Sequence, residues 1–388
     1  MTDFLIWVLL YLLPLLLLAA GGWAGVSHQS GGQIARRAVV LSQFVLGLYG
    51  LLLLLCGWSG LPAGAGHWLS VRPVSLLLLG LVLFIGWVVL RFSRHYMAGE
   101  PRQGFFYRWL LLTLAAVCVT VSANHLLVLL AGWLAISLAL HRLLLFYPNR
   151  PRTVLAAHKK FIIARVSELC LALAFFLLFD HFGTADIDQI LTALPTTVWT
   201  PWLTLAACGL VLTALLKCAQ LPVHGWLIQV VDAPTPVSAL LHAGVINLGG
   251  YLLILFAPLL IQSPLANGLL LLLAGSSLVL AALIMQTRVS VKVRLAWSTS
   301  AQMGFMLLEC ALGLYELAFL HLVAHSLYKA HAFLTAGQAV SAQQYQQLCQ
   351  QQPAISRRCY LLHWLPAVFS ASTAGTGRCT AGRCSRSD

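Results

Sequence analysis

Apolar runs of bilayer-spanning length follow one another along most of this chain. About eleven stretches match the roughly 17–25 residues that a transmembrane helix needs: 4–23, 38–57, 72–92, 106–122, 124–146, 161–180, 202–221, 236–261, 265–286, 294–313 and 316–340. The chain is 60% hydrophobic and only 9% charged, where a soluble domain carries about 25% charged residues. No water-soluble core can hide so much apolar side chain, so the bilayer is the solvent. In lipid every backbone group must be bonded internally, and runs of this length meet that requirement as helices. The expected fold is an all-α polytopic membrane protein of about eleven transmembrane helices. The first run, Phe4 to Ala20, is preceded by Asp3 rather than a basic segment and reads as a span, not a signal peptide.

The formal charge of +13 does not point to nucleic acid, because the basic residues gather in short loops. Arg36 and Arg37 follow the first span, Arg94, Arg102 and Arg108 the third, Arg150, Arg152, Lys159 and Lys160 the fifth, and Arg288, Lys292 and Arg294 the ninth. The intervening loops are nearly free of basic charge, and the one after the sixth span is acidic, with Asp180, Asp186 and Asp188. By the positive-inside rule the N-terminus lies outside and the end of the eleventh span in the cytoplasm. Lys159 and Lys160 sit near a span end and read as snorkelling side chains, available with the cytoplasmic loops to a partner.

Cys56, Cys118, Cys170, Cys208, Cys218 and Cys310 are scattered singly in apolar runs and no CxxC pair is present, which excludes a disulfide framework and leaves Cys as a small hydrophobe. No GxGxxG after a strand, GxxxxGK[ST], HExxH or nucleophile elbow occurs, so the chain does not read as an enzyme. From Ser341 the chain turns Gln-rich, then Arg-, Cys-, Gly-, Ser- and Thr-rich, with Cys379 and Cys384 near its end. This segment reads as a non-native end or as a disordered cytoplasmic tail.

Lys217 lies deep in the run Leu203 to Leu221. A lysine there costs several kcal/mol unless water or a counter-charge compensates it. Pro222, His224, Asp232, Pro234 and Pro236 follow within one span's length. A buried charge beside clustered prolines predicts a broken helix, which is a way to build an ion path through lipid. Val223 to Val231 is the short second piece. Other ionisable groups fall inside spans: Glu168 in the sixth, His242 in the eighth, and His321, His325 and Lys329 in the eleventh. Positions 321, 325 and 329 share one helical stripe. Glu168, Lys217, His242, His325 and Lys329 are thus candidates for a proton relay at mid-membrane depth. For a single buried histidine the plainer reading, a hydrogen-bonded structural group, is the commoner one.

The segment Lys217-Cys-Ala-Gln-Leu-Pro222-Val-His224-Gly-Trp226, then Asp232-Ala-Pro234-Thr-Pro236-Val-Ser-Ala-Leu-Leu-His242, closely resembles the proton-conducting antiporter family. That family holds the large membrane subunits of respiratory complex I (subunit 5, NuoL-like) and of Mrp antiporters. Lys292-Val-Arg-Leu-Ala-Trp-Ser-Thr-Ser-Ala-Gln-Met-Gly304 and His321-Leu-Val-Ala-His325-Ser-Leu-Tyr-Lys329-Ala resemble two further blocks of it. The resemblance spans roughly residues 70 to 340 and implies paired inverted repeats, each with a broken helix. It also implies proton-path roles for Lys217, His242 and Lys329, and His224 and Lys292 are further ion-path candidates. On it, residues 1–105 are three N-terminal helices, 106–261 the first repeat, 265–340 a truncated second repeat and 341–388 the tail. Where the family keeps a glutamate in its fifth span, this chain has Leu134, in Gly132-Trp133-Leu134, so the family's glutamate–lysine pair lacks one partner unless Glu168 substitutes.

The segments Leu138 to Pro148 and Ala157 to Phe161 resemble most the branch that supplies membrane subunits of DAB-type inorganic-carbon accumulation complexes. That resemblance implies a large cytoplasmic, zinc-containing, DabA-like partner and no cofactor in this chain. It further implies a cation gradient, H+ or Na+, that drives CO2 hydration to bicarbonate at the bacterial inner membrane. The alternatives are a proton-pumping complex I subunit and an Mrp-type cation/proton antiporter subunit.

Overall fold

Each of the eleven apolar runs is mostly helical among the described residues. The structure, a computed structural model, describes residues 2–27, 29–62 and 66–338; the tail 341–388 lies outside them. The helices are α1 (Thr2–Val26), α2 (Gly31–Ser59), α3 (Pro73–Tyr96), α4 (Gln103–Ser122), α5 (Leu126–Leu144), α6 (Pro151–Phe182), α7 (Ile187–Ala193) and α8 (Pro201–Lys217). After them come α9 (Gly225–Gln229), α10 (Thr235–Leu240), α11 (Leu248–Leu255), α12 (Ala257–Ile261), α13 (Pro264–Gln286), α14 (Val291–Ala311) and α15 (Tyr315–Thr335). Among the described residues eight helical stretches are long and apolar enough to cross a bilayer, α10 to α11 counting as one. The chain is a multi-pass membrane protein. The other three expected spans are helices too. α8 stops at 17 residues because the chain breaks after Lys217, while Lys292, Arg294 and Glu309 on α14 and Glu316 and Lys329 on α15 lower their apolarity.

The sixth span begins earlier than its apolar run, at Pro151 rather than 161. Proline is preorganised for the first helical turn, and the following polar turns pack on α5 and α9. Small residues set the closest approach at the centre. A β-carbon on Gly249 of α11 would lie 2.5 Å from Cys218 Sγ and 2.9 Å from the Ala214 carbonyl, so glycine is what lets α11 press on the end of α8.

At one end of the bundle, loops are tied by polar contacts. Arg72 Nε donates to Asp188 Oδ1 at 2.7 Å, Ser70 Oγ to Asp188 at 3.0 Å, and Asn124 Nδ2 to Asp186 at 3.1 Å. These bonds fasten the start of α3 and the α4–α5 junction to α7. Asp186 and Asp188, the acidic loop of the sequence, thereby serve as ties and N-terminal anchors for α7 rather than as free surface charge.

Candidate ion path

The break after Lys217 is built from side chains that the prolines do not announce. Ala219 takes a positive φ of 53°, and the backbone turns away from the helix axis. Groups freed in this way must find partners in a dry interior. The Leu221 amide donates to Ser277 Oγ of α13 at 3.0 Å. Ser300 Oγ of α14 donates to the Ala219 carbonyl at 3.2 Å. Gln220, fully buried, donates to the Cys218 and Ser300 carbonyls at 2.9 and 3.2 Å. Pro234 and Pro236 are buried at the start of α10, whereas Pro222 and Asp232 are exposed. The Asp232 carbonyl, not its carboxylate, meets Arg150.

The interrupted helix aims Lys217 into a cavity of about 20 Å³ that it shares with Glu168, Lys160 and Trp133, room for one water. The Lys217 ammonium lies over the Trp133 ring, 4.4 Å from its centroid. Glu168 pairs with Arg165 one turn away at 2.8 Å, and Arg165 also donates to Ser137 Oγ at 2.9 Å. One carboxylate therefore faces three cations. Leu134 is 37% exposed on the outward face of α5, so it takes no part in this cluster, and Ser137, one turn on, takes the inward position.

Lys160 corrects its sequence reading. It does not snorkel and is not open to a partner: it is 6% exposed and donates to the Ser137 carbonyl at 3.0 Å. Its neighbour Lys159 is exposed and reaches Gln229 at 3.2 Å. The readable signal was spacing, because 160 and 168 lie two turns apart on the face that carries Glu168.

A second group forms where α10, α11, α14 and α15 meet. His242 lies in a π-helical turn, Leu241–Val245, between α10 and α11; such turns loosen the backbone ladder and recur at functional sites. Its Nδ1 is 3.1 Å from Thr299 Oγ1 and its ring stacks on Phe333, 4.3 Å between centroids. Asn247 bonds the Ala243 carbonyl at 3.1 Å and Ser326 Oγ at 2.6 Å, which supports the turn. Lys329 is fully buried and donates to the Leu295 carbonyl at 3.1 Å and to Ser298 Oγ. His325 lies within electrostatic reach of Lys329, His321 and His242, with both ring nitrogens unpartnered among the described residues. His321 pairs with Glu309 at 3.0 Å. His321 and His325 border a wide groove of about 880 Å³ along α13 to α15.

Two expected members stand apart. Lys292 donates to Thr235 Oγ1 at 3.1 Å and holds the start of α14 to the start of α10. His224 lies against Trp297, 4.9 Å between centroids. Arg165, Ser137, Ser298, Thr299 and Glu309 were not foreseen. Glu309, a lone carboxylate inside an apolar run, carried the same signal as Lys217. The hydroxyls carried none, since serine and threonine are common in membrane helices. Among the described residues no group of three or more His, Cys, Asp or Glu side chains is placed to hold a metal ion.

Residues 123–383 match a family model described as "NADH:quinone oxidoreductase/Mrp antiporter, TM", and 68–107 match "NADH-Ubiquinone oxidoreductase (complex I), chain 5 N-terminus". The chain is 59% identical over 280 residues to the "Probable inorganic carbon transporter subunit DabB" of Hydrogenovibrio crunogenus, covering 72% of this chain and 54% of that one. It is 43% identical over 288 residues to the "Probable inorganic carbon transporter subunit DabB2" of Halothiobacillus neapolitanus (73% and 52% covered). With "NADH-quinone oxidoreductase subunit L" of Pseudomonas aeruginosa the identity is 32% over 335 residues (85% and 53% covered). The chain spans about half the length of these relatives. The solved structure of the Mrp complex from Dietzia sp. DQ12-45-1b superposes with a TM-score of 0.75 at 26% identity, covering 84% of this chain and 37% of that one.

Proposed function

The chain belongs to the NADH:quinone oxidoreductase/Mrp antiporter transmembrane family, and from that premise we propose that it conducts a cation as the membrane subunit of an inorganic-carbon accumulation complex. The observation that carries the conducting role is Lys217 facing Glu168 across a one-water cavity at a helix break. A cation held by one shared carboxylate and one ring face can exchange its charge with little rearrangement, which an ion relay needs. The choice of branch is supported by identities of 59% and 43% to two inorganic-carbon subunits against 32% to the quinone-linked one. It is further supported by Leu134, which leaves the fifth span without a carboxylate.

In this reading a large cytoplasmic zinc-containing partner hydrates CO2 to bicarbonate and one proton. Cation flow through this chain along its gradient couples to that step and draws it toward bicarbonate. The full-length protein, co-expressed with that partner in cells lacking carbonic anhydrase, is expected to restore growth in ambient air. A stable complex that fails to restore growth overturns the reading. Co-purification with quinone-reducing subunits instead would favour the respiratory alternative.

A further inference from the structure

The cavity around Glu168 and Lys217 must exchange its ion with water, and α5 and α6 carry two protonatable groups that the site does not yet use. His141 lies one turn beyond Ser137 on α5, and His158 two residues before Lys160 on α6, with ring centroids 5.4 Å apart. His158 is exposed, His141 half-buried and Lys160 buried. Burial thus rises stepwise from His158 through His141 to Lys160, whose ammonium reaches the same Ser137 that holds Arg165 beside Glu168.

Two further observations mark this as a route. His141 Nδ1 is buried without a hydrogen-bond partner among the described residues, and an imidazole nitrogen of this kind can accept or donate a proton. The Phe161 ring, 4.7 Å from that of His141, walls the pair. Length puts the pair at the water boundary. The 32 residues of α6 extend about 48 Å, well beyond a hydrocarbon core of about 30 Å. The surplus includes its basic start at Arg152, and His158 lies less than two turns further on.

We propose that His158 and His141 form a proton port at the basic end of α5 and α6, joining water to the cavity of Lys160, Glu168 and Lys217. The proposal rests on the ion-conducting reading above and names the proton as the ion. The chemistry moves only N–H bonds. An imidazole takes a proton on one ring nitrogen and releases one from the other, so one proton advances and the ring stays neutral overall once its tautomer resets. Ser137 positions Lys160 and Arg165 at the inner end of the route.

Paired imidazoles at this spacing bind zinc, which supplies a readout separate from turnover. The full-length protein in its complex is reconstituted in vesicles containing a pH-sensitive dye, and Zn2+ alone is added on the basic-loop side. Wild-type proton flux is expected to be blocked. His158→Gln and His141→Gln each raise the Zn2+ concentration for half-block by at least about tenfold. Free imidazole in the buffer restores flux to His158→Gln. His141→Phe keeps an aromatic ring against Phe161, so its loss of flux at normal protein level separates proton transfer from packing. If both Gln variants conduct at the wild-type rate and keep wild-type Zn2+ sensitivity, the port is overturned while conduction stands. If the wild type moves no protons at all, the proton-conducting reading and the port fall together.

Discussion

Lys217 and Lys329 both sit beside an irregular turn of helix, yet they are held in opposite ways. Lys217 rests on the face of Trp133 and looks across a one-water gap to Glu168, a carboxylate already shared with Arg165. Lys329 is bonded to a backbone carbonyl and a hydroxyl near the start of α14, while Glu309, near the other end of that helix, pairs with His321. A ring face holds a cation by about 0.5–2 kcal/mol with little directional demand. Hydrogen bonds to a charged donor contribute about 1.5–3 kcal/mol each and fix its geometry. On the proposed reading, Lys217 is the exchanging charge and Lys329 the anchored one. Their surroundings agree, since the Lys217 cavity is small and lined by this chain's own helices, while the histidines near Lys329 border a wide groove.

The strongest way to break this contrast is to remove each lysine. Lys217→Ala is expected to lower bicarbonate uptake by about a hundredfold or more, with protein remaining in the membrane at normal level by immunoblot. Uptake at the wild-type rate would remove Lys217 from the path. Next in size, Glu168→Gln is expected to cost about tenfold in rate, and Glu309→Gln clearly less, because Glu309 serves His321 rather than a lysine. The same assay sharpens the point about the fifth span. Adding Leu134→Glu to Glu168→Gln should recover nothing, since that position faces outward on α5; recovery would mean that the fifth span can still supply the carboxylate.

That outward face shows what was legible beforehand and what was not. Lys217 and its prolines stood out because a charge and helix breakers in an apolar run both demand compensation, and the eleven runs are mostly helical because lipid offers backbone groups no other partner. The compensation itself was hidden. Ser277 and Ser300, which bond the broken backbone, look like any serine in a membrane helix. Lys160 was hidden by a default: a lysine near a run's end is assigned to the interface, yet the helix here starts ten residues before the run and buries it. The π-helical turn at His242 had no sequence sign, because it is held by packing against α14 and α15, where His242 and Asn247 meet Thr299 and Ser326.

Smaller effects test the scaffold around each lysine. Gly249→Ala forces a methyl group against Cys218 and the Ala214 carbonyl, at a cost of about 1–3 kcal/mol. A lowered melting temperature of the purified protein would register it, and an unchanged one would show that α11 can slide off α8. Ser298→Ala removes one of the two Lys329 partners and is expected to change uptake by no more than about threefold, on the scale of one hydrogen bond. A Lys217-sized effect there would mean that Lys329 exchanges its proton as well.

On the proposed reading Lys217 and Glu168 act as one unit. Ion flux through vesicles bearing the wild type, Lys217→Ala, Glu168→Gln and the double variant measures this directly as a double-mutant cycle. The double variant is expected to be no slower than Lys217→Ala alone, since Glu168 acts on flux only through Lys217. Losses that multiply in full would contradict it and make the two residues independent.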